Sequence, residues 1–198
     1  MQDSKHDIYN LPNLVSFIRI LLAPLLLYLA FAQEPWWFIA VLIFSEFTDV
    51  LDGFLARRLN QITPMGAQLD SWGDFAIYST MAFSAWILWP FIVSENILYF
   101  AIIVGSFTLP VLIGLIKFGS ITSYHTWSVK LAVAVTFISY ILLFAEVLEW
   151  PFKLAAALCV YAGIEEILIT LVMKRQHVDI KTYWHALKYK KNNVTVGN

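Results

Sequence analysis

The sequence predicts an all-α, polytopic membrane protein with six transmembrane helices in one bundle and both termini on the cytoplasmic side. Three observations carry that prediction. Of 198 residues, 60% are hydrophobic and only 14% are charged, whereas soluble domains carry about a quarter charged residues. The mean hydropathy is +0.70. The apolar residues also gather in runs close to the roughly 20 residues that a helix needs to cross ~30 Å of hydrocarbon. No soluble domain has room to exist, so residues 1–198 read as one membrane domain, with 174–198 as a basic cytoplasmic tail. The start, MQDSKHDIYN, lacks a basic region leading into a short apolar stretch, and no cleaved signal peptide is expected.

The first span is placed at 14–32. Pro12 lies near its start and Arg19 two turns later, read either as a side chain snorkelling to the interface or as a phosphate contact. The second span, 36–57, and the third, 69–93, flank the stretch DVLDGFLARRLNQITPMGAQLDSWGD. Asp49, Asp52, Asp70 and Asp74 lie there, between very apolar segments. Charged residues inside membrane segments are costly and usually mark a site that faces the protein interior.

The spacing of these acids is informative. On a helix, Asp49, Asp52, Gly53 and Ala56 form one stripe, and Gly66, Asp70 and Asp74 form another. RRLNQITP between them is short and polar with Pro64 as a breaker, which predicts two antiparallel neighbouring helices. Facing acidic stripes need a counter-charge, and a hard cation such as Mg²⁺ or Mn²⁺ prefers such oxygen ligands. Arg57, just past the first stripe, suits bidentate contact with a phosphate. Arg58 lies off the stripe, toward the membrane surface.

The fourth span is placed at 97–117 and the fifth at 126–144. The connection KFGSITSYHTWSVK puts Lys117, His125 and Lys130 near one face. They read as an electropositive pocket for acceptor or lipid phosphates, or as the ordinary positive charge of a cytoplasmic loop. No second histidine stands at ligand spacing from His125. The sixth span, 152–173, carries Glu165 and Glu166, which point about 100° apart on a helix. They read as a structural polar lock, with Arg19 or Lys130 as candidate partners. Cys159, the single cysteine, lies in an apolar run, so neither a disulfide framework nor a thiol metal site is expected. In the tail, HVDIKTYWHALKYKK predicts a short interfacial amphipathic helix.

Orientation follows from the basic residues. Under six spans, Lys5, Arg19, Arg57, Arg58, Lys117, Lys130 and the basic residues from Lys174 onward share one face, while Lys153 stands opposite with Glu34, Glu95, Glu146 and Glu149. That bias sets both termini and the acidic hairpin on the cytoplasmic side. Trp36, Trp37, Trp89, Trp127 and Trp150 fall near span ends, as an interfacial aromatic belt requires.

The pattern D-x-x-D-G-x-x-A-R, eight residues, then G-x-x-x-D-x-x-x-D resembles the signature of the CDP-alcohol phosphatidyltransferases. It is matched at Asp49, Asp52, Gly53, Ala56, Arg57, Gly66, Asp70 and Asp74. The resemblance implies transfer of a phosphatidyl group from CDP-diacylglycerol to a small polar alcohol with release of CMP. It implies Asp49, Asp52, Asp70 and Asp74 as ligands of Mg²⁺ or Mn²⁺, with two ions expected, and Asp74 also as the catalytic base. Asp49, Asp52, Gly53, Ala56, Arg57, Gly66 and Asp70 would bind the CDP-lipid, the small residues lining the cytidine pocket. It further implies a homodimer in the cell inner or plasma membrane. No nucleic-acid partner is expected.

For the acceptor, the Pro-Asn…Arg start resembles members that use glycerol 3-phosphate. Those members tend to carry DPxxDK, whereas this chain has Asp70, Ser71, Trp72, Gly73, Asp74 and Phe75, closer to serine or inositol types. Glycerol 3-phosphate is the favoured expectation, with serine, inositol or inositol phosphate as alternatives. Outside this family stand a UbiA-like prenyltransferase, which needs two well-separated acidic motifs, and a divalent-metal membrane carrier, which usually shows internal repeats. No second copy of the acidic pattern is present.

Overall fold

A computed structural model describes residues 11–59, 64–119, 124, 126–173 and 180–195. Among them are eight helices and no strand: α1 Leu11–Phe31, α2 Pro35–Arg58, α3 Pro64–Leu88, α4 Pro90–Glu95, α5 Ile97–Phe118, α6 Trp127–Phe144, α7 Trp150–Val172 and α8 Tyr183–Thr195. The all-helical expectation is met. By length and composition, α1, α5, α6 and α7 are able to cross a membrane. At 24 and 25 residues, α2 and α3 have the length, and the acids they carry lower their apolarity. Large apolar side chains face outward along these helices, among them Phe44, Phe47, Leu112, Ile116 and Leu171. In water that would be an aggregation surface; in a bilayer it is the lipid-facing side. The protein is an integral membrane protein.

Two boundaries differ from the hydropathy reading, both because of proline. The predicted third span, 69–93, begins instead at Pro64, a residue pre-shaped for the first helical position, five residues ahead of the expected start. It then divides at Trp89, because the residue before Pro90 is disfavoured in helical geometry, and short α4 starts anew.

The chain forms two compact units, Met1–Val93 and Ser94–Asn198. In the first, α1 packs against both α2 and α3. Its inward stripe is Ser16, Arg19, Ala23, Leu26 and Ala30, spaced at helical period. Phe38 and Leu42 of α2 and Ile77, Met81 and Ala85 of α3 complete this core, with Phe38 edge-on to Trp89 at 6.1 Å. The two arms of the acidic hairpin are expected to be antiparallel neighbours. Among the described residues each arm packs more extensively on α1, whose inward stripe is small at Ser16, Ala23 and Ala30.

In the second unit α7 is central, packed by α5, α6 and α8. Its small residues Ala155, Ala156, Cys159, Ala162 and Gly163 are buried. Phe100 of α5 stacks between Phe152 at 4.7 Å and Phe144 at 5.9 Å. Gly119 ends α5 at φ 71 and donates its N–H to the Leu115 carbonyl, a left-handed cap that glycine adopts without a Cβ penalty.

The tail helix α8 confirms the helical expectation for that stretch. It docks through Ile180 and Ala186 onto Tyr124, Ile169 and Met173, and Glu165 of α7 accepts the Tyr183 N–H at 2.9 Å. The Ser128 hydroxyl donates to the same carboxylate. Glu165 is thus a polar lock, held by Ser128 and Tyr183. Glu165→Ala should release the start of α8, since hydrogen bonds to a charged acceptor contribute about 1.5–3 kcal/mol each. Hydrogen exchange of the 183–189 amides in detergent should speed up by tenfold or more; unchanged protection there would refute the lock.

Candidate active site

The inward stripe of α1 turns from apolar to charged at Arg19, one turn from Ser16. Arg19 is only 1% exposed and heads the largest fully buried side chains. A guanidinium cannot lose its charge in a protein, so burying it requires carboxylates close by. They come from both arms of the hairpin. Nη1 pairs with Oδ1 of Asp49 on α2, and Nη2 lies 3.3 Å from Oδ1 of Asp74 on α3. The charge of Arg19 also acts on Glu46, one turn before Asp49. The acids keep more contact with solvent than their partner: 36% of the Asp49 side chain and 31% of the Asp74 side chain remain accessible.

Gly73 makes this arrangement possible. A Cβ built there would stand 2.7 Å from Arg19 Nε and 2.9 Å from Nη2. At such distances a side chain at residue 73 would make the guanidinium shift from its place beside α3.

Of the sequence-predicted site residues, the structure brings together Asp49, Asp74 and Arg19. Gly53 and Gly66 lie on α2 and α3 as the stripes require. The backbones of Asp52, Ala56, Arg57 and Asp70 are helical, but their side chains lie outside the described residues, as does His125. Lys117, expected to meet a phosphate, donates to the carbonyls of Thr170 at 2.9 Å and Leu171 at 3.0 Å, where a cation complements a helix C-terminus. Lys130 is exposed, 5.5 Å from the centre of the Trp127 ring. Glu166 meets the backbone of Tyr124.

Two residues of this cluster were not picked out from sequence. Glu46 stands three positions before Asp49 on the same stripe, and an acid within an apolar run was the available signal. Gly73 gave none, because its role depends on a side chain 54 positions away in the chain.

The donor set fits a hard divalent cation: carboxylate oxygens from two different helices, each partly open to solvent. Among the described residues no three such ligands gather in one place.

A family model for CDP-alcohol phosphatidyltransferase matches residues 9–177. The chain belongs to the CDP-alcohol phosphatidyltransferase family. Relatives include a Pseudomonas fluorescens protein named CDP-diacylglycerol–glycerol-3-phosphate 3-phosphatidyltransferase, 46% identical over 68 residues, which are 33% of this chain and 35% of the relative. An Aquifex aeolicus protein of the same name is 39% identical over 77 residues, covering 38% of this chain and 43% of its own. A Mycobacterium bovis protein named putative cardiolipin synthase is 38% identical over 68 residues, 34% of this chain and 32% of that one. The chain thus aligns with about a third to two-fifths of the length of these relatives. No solved structure matches it.

Proposed function

We propose that this protein transfers the phosphatidyl group of CDP-diacylglycerol to glycerol 3-phosphate, releasing CMP. The observation that carries the reading is the cluster of Asp49 and Asp74 around Arg19, charged groups from three apolar helices gathered in one place. The names of the bacterial relatives support glycerol 3-phosphate as the acceptor.

In the reaction a bond forms between the acceptor oxygen and the phosphorus next to diacylglycerol, and the bond from that phosphorus to the CMP oxygen breaks. The acceptor hydroxyl gives up its proton to Asp74, a carboxylate with an accessible edge. Asp49, Asp52, Asp70 and Asp74 would hold Mg²⁺ or Mn²⁺, with two ions expected. When bound, these ions supply neutralisation of the diphosphate charge and of the departing phosphate. Arg57 is assigned to a phosphate of the nucleotide, and Gly53, Ala56 and Gly66 to room for the cytidine. Arg19, buried against the acids, stands in a lower-dielectric setting that strengthens its contacts with Asp49 and Asp74.

Six long helices, α1, α2, α3, α5, α6 and α7, support a six-span topology. The distribution of lysine and arginine supports cytoplasmic termini, with the acidic hairpin reached from the cytosol in the cell inner or plasma membrane. A homodimer is part of the same reading.

The test is a radiolabelled CDP-diacylglycerol assay in detergent with glycerol 3-phosphate, serine, inositol, inositol phosphate and phosphatidylglycerol. CMP release should need both Mg²⁺ or Mn²⁺ and glycerol 3-phosphate. One mycobacterial relative is named putative cardiolipin synthase, and release with phosphatidylglycerol alone would make a lipid alcohol the acceptor instead. Serine or inositol alone would follow the Asp70-Ser71 signature instead. No release with any acceptor would sink the enzymatic reading and favour a metal carrier.

A further inference from the structure

We propose that Arg19 is a positioning residue of the aspartate site, a buried permanent charge that ties the two acidic arms together and takes up part of their repulsion. This role rests on the aspartates being the catalytic site. Three observations converge on it. Arg19 is 1% exposed and is the one charged residue on the inward stripe of α1 among the described residues. Its two terminal nitrogens go to acids on different helices, Asp49 of α2 and Asp74 of α3. Gly73, one residue before Asp74, leaves the guanidinium space that a Cβ would take at 2.7 Å.

A planar fork with several fixed donors suits this task, whereas a lysine ammonium is a point charge that cannot span two carboxylates in the same way. Snorkelling would leave the head group in water, and a phosphate contact would present it toward the ligand. The guanidinium is buried and taken up by the acids, which keep about a third of their side-chain surface open. The acids are thereby fixed from the protein side and left approachable from the other. Such outer contacts set the orientation of ligating carboxylates. Arg19 also partly offsets the negative charge that a bound cation would otherwise balance alone. Its loss should make the protein's stability depend more on an added cation.

The experiment uses the full chain in detergent, comparing wild type with Arg19→Gln, Arg19→Lys, Asp49→Asn, Gly73→Val and the Arg19→Gln/Asp49→Asn pair. Thermal unfolding is measured in EDTA and with added Mn²⁺, and kcat and KM for CDP-diacylglycerol are measured alongside. In EDTA, Arg19→Gln should lower Tm by on the order of 5 °C, and the double variant should lose clearly less than the sum of the two single losses. Gly73→Val should behave like Arg19→Gln, since it evicts the guanidinium without changing residue 19. Arg19→Lys should regain part of the Tm but little of the kcat. With Mn²⁺, the rise in Tm should be larger for Arg19→Gln than for wild type.

Additive losses in EDTA overturn the proposal. Non-additive losses with an unchanged or smaller Mn²⁺ rise make Arg19 a structural tie and overturn its positioning role. If Mn²⁺ shifts no variant, wild type included, the metal assignment of the site falls by itself, and the cycle in EDTA alone decides whether Arg19 holds the arms.

Discussion

Asp74→Asn should lower kcat by about 10²–10⁴-fold, the range that a positioned general base contributes, or ~3–5 kcal/mol of barrier. The amide is nearly the same size, so α3 should keep its place, and Arg19 retains Asp49 as a partner. What the variant lacks is a group that can take the acceptor's proton at neutral pH. KM for CDP-diacylglycerol should stay within a few-fold of wild type, because Asp49, Asp52, Asp70 and Arg57 remain to hold the nucleotide lipid. Initial rates of CMP release at saturating acceptor provide the measurement. Wild-type turnover in this variant would remove Asp74 as the base. A raised KM with unchanged kcat would instead assign Asp74 to binding alone.

The second large effect is expected far from the acids in sequence, at Gly163. A Cβ there would meet the Ser106 carbonyl oxygen at 2.7 Å and its carbon at 3.4 Å. The obstacle is backbone, which cannot rotate aside as a side chain can. Gly163→Val must therefore separate α5 from α7, and overpacking of this kind typically costs about 1–3 kcal/mol. For a chain of this size that corresponds to a Tm lower by roughly 2–12 °C. Between membrane helices, where lipid is as apolar as the side chains, close approach through small residues is a main source of association. The same separation would widen the apolar groove of about 320 Å³ lined by Ala101, Gly105, Ser106, Val160 and Gly163. Thermal unfolding in detergent checks the expectation, and a wild-type Tm would show that the helices do not rely on this contact.

The helices were legible because a bilayer imposes a length on apolar runs, and that length survives in one dimension. The predicted spans at 14–32, 36–57, 97–117, 126–144 and 152–173 each lie close to a helix of the structure. The family was legible for a related reason: four acids amid apolar sequence stand out, and their spacing matches a known signature. What escaped depends on three-dimensional neighbours. Arg19 reads alone as a snorkelling or phosphate-binding cation, since its partners lie on two other helices. Lys117 reads as a phosphate contact or an ordinary cytoplasmic cation, and the carbonyls its amine meets lie 53 and 54 residues away. Gly73 reads as part of an acceptor signature, whereas its missing side chain is what admits the guanidinium. A one-dimensional pattern shows where charge resides and says little about what neutralises it.

The burial of Arg19 has a consequence for how the protein is made. Asp49 and Asp74 follow Arg19 by 30 and 55 positions, so a growing chain delivers the cation to the bilayer before either anion exists. An unneutralised arginine in hydrocarbon is costly, and the first anion that can offset it, Asp49, comes with the second helix. Insertion of α1 alone is therefore expected to be less favourable than insertion of α1 with α2, and Asp74 adds a second anion when the third helix follows.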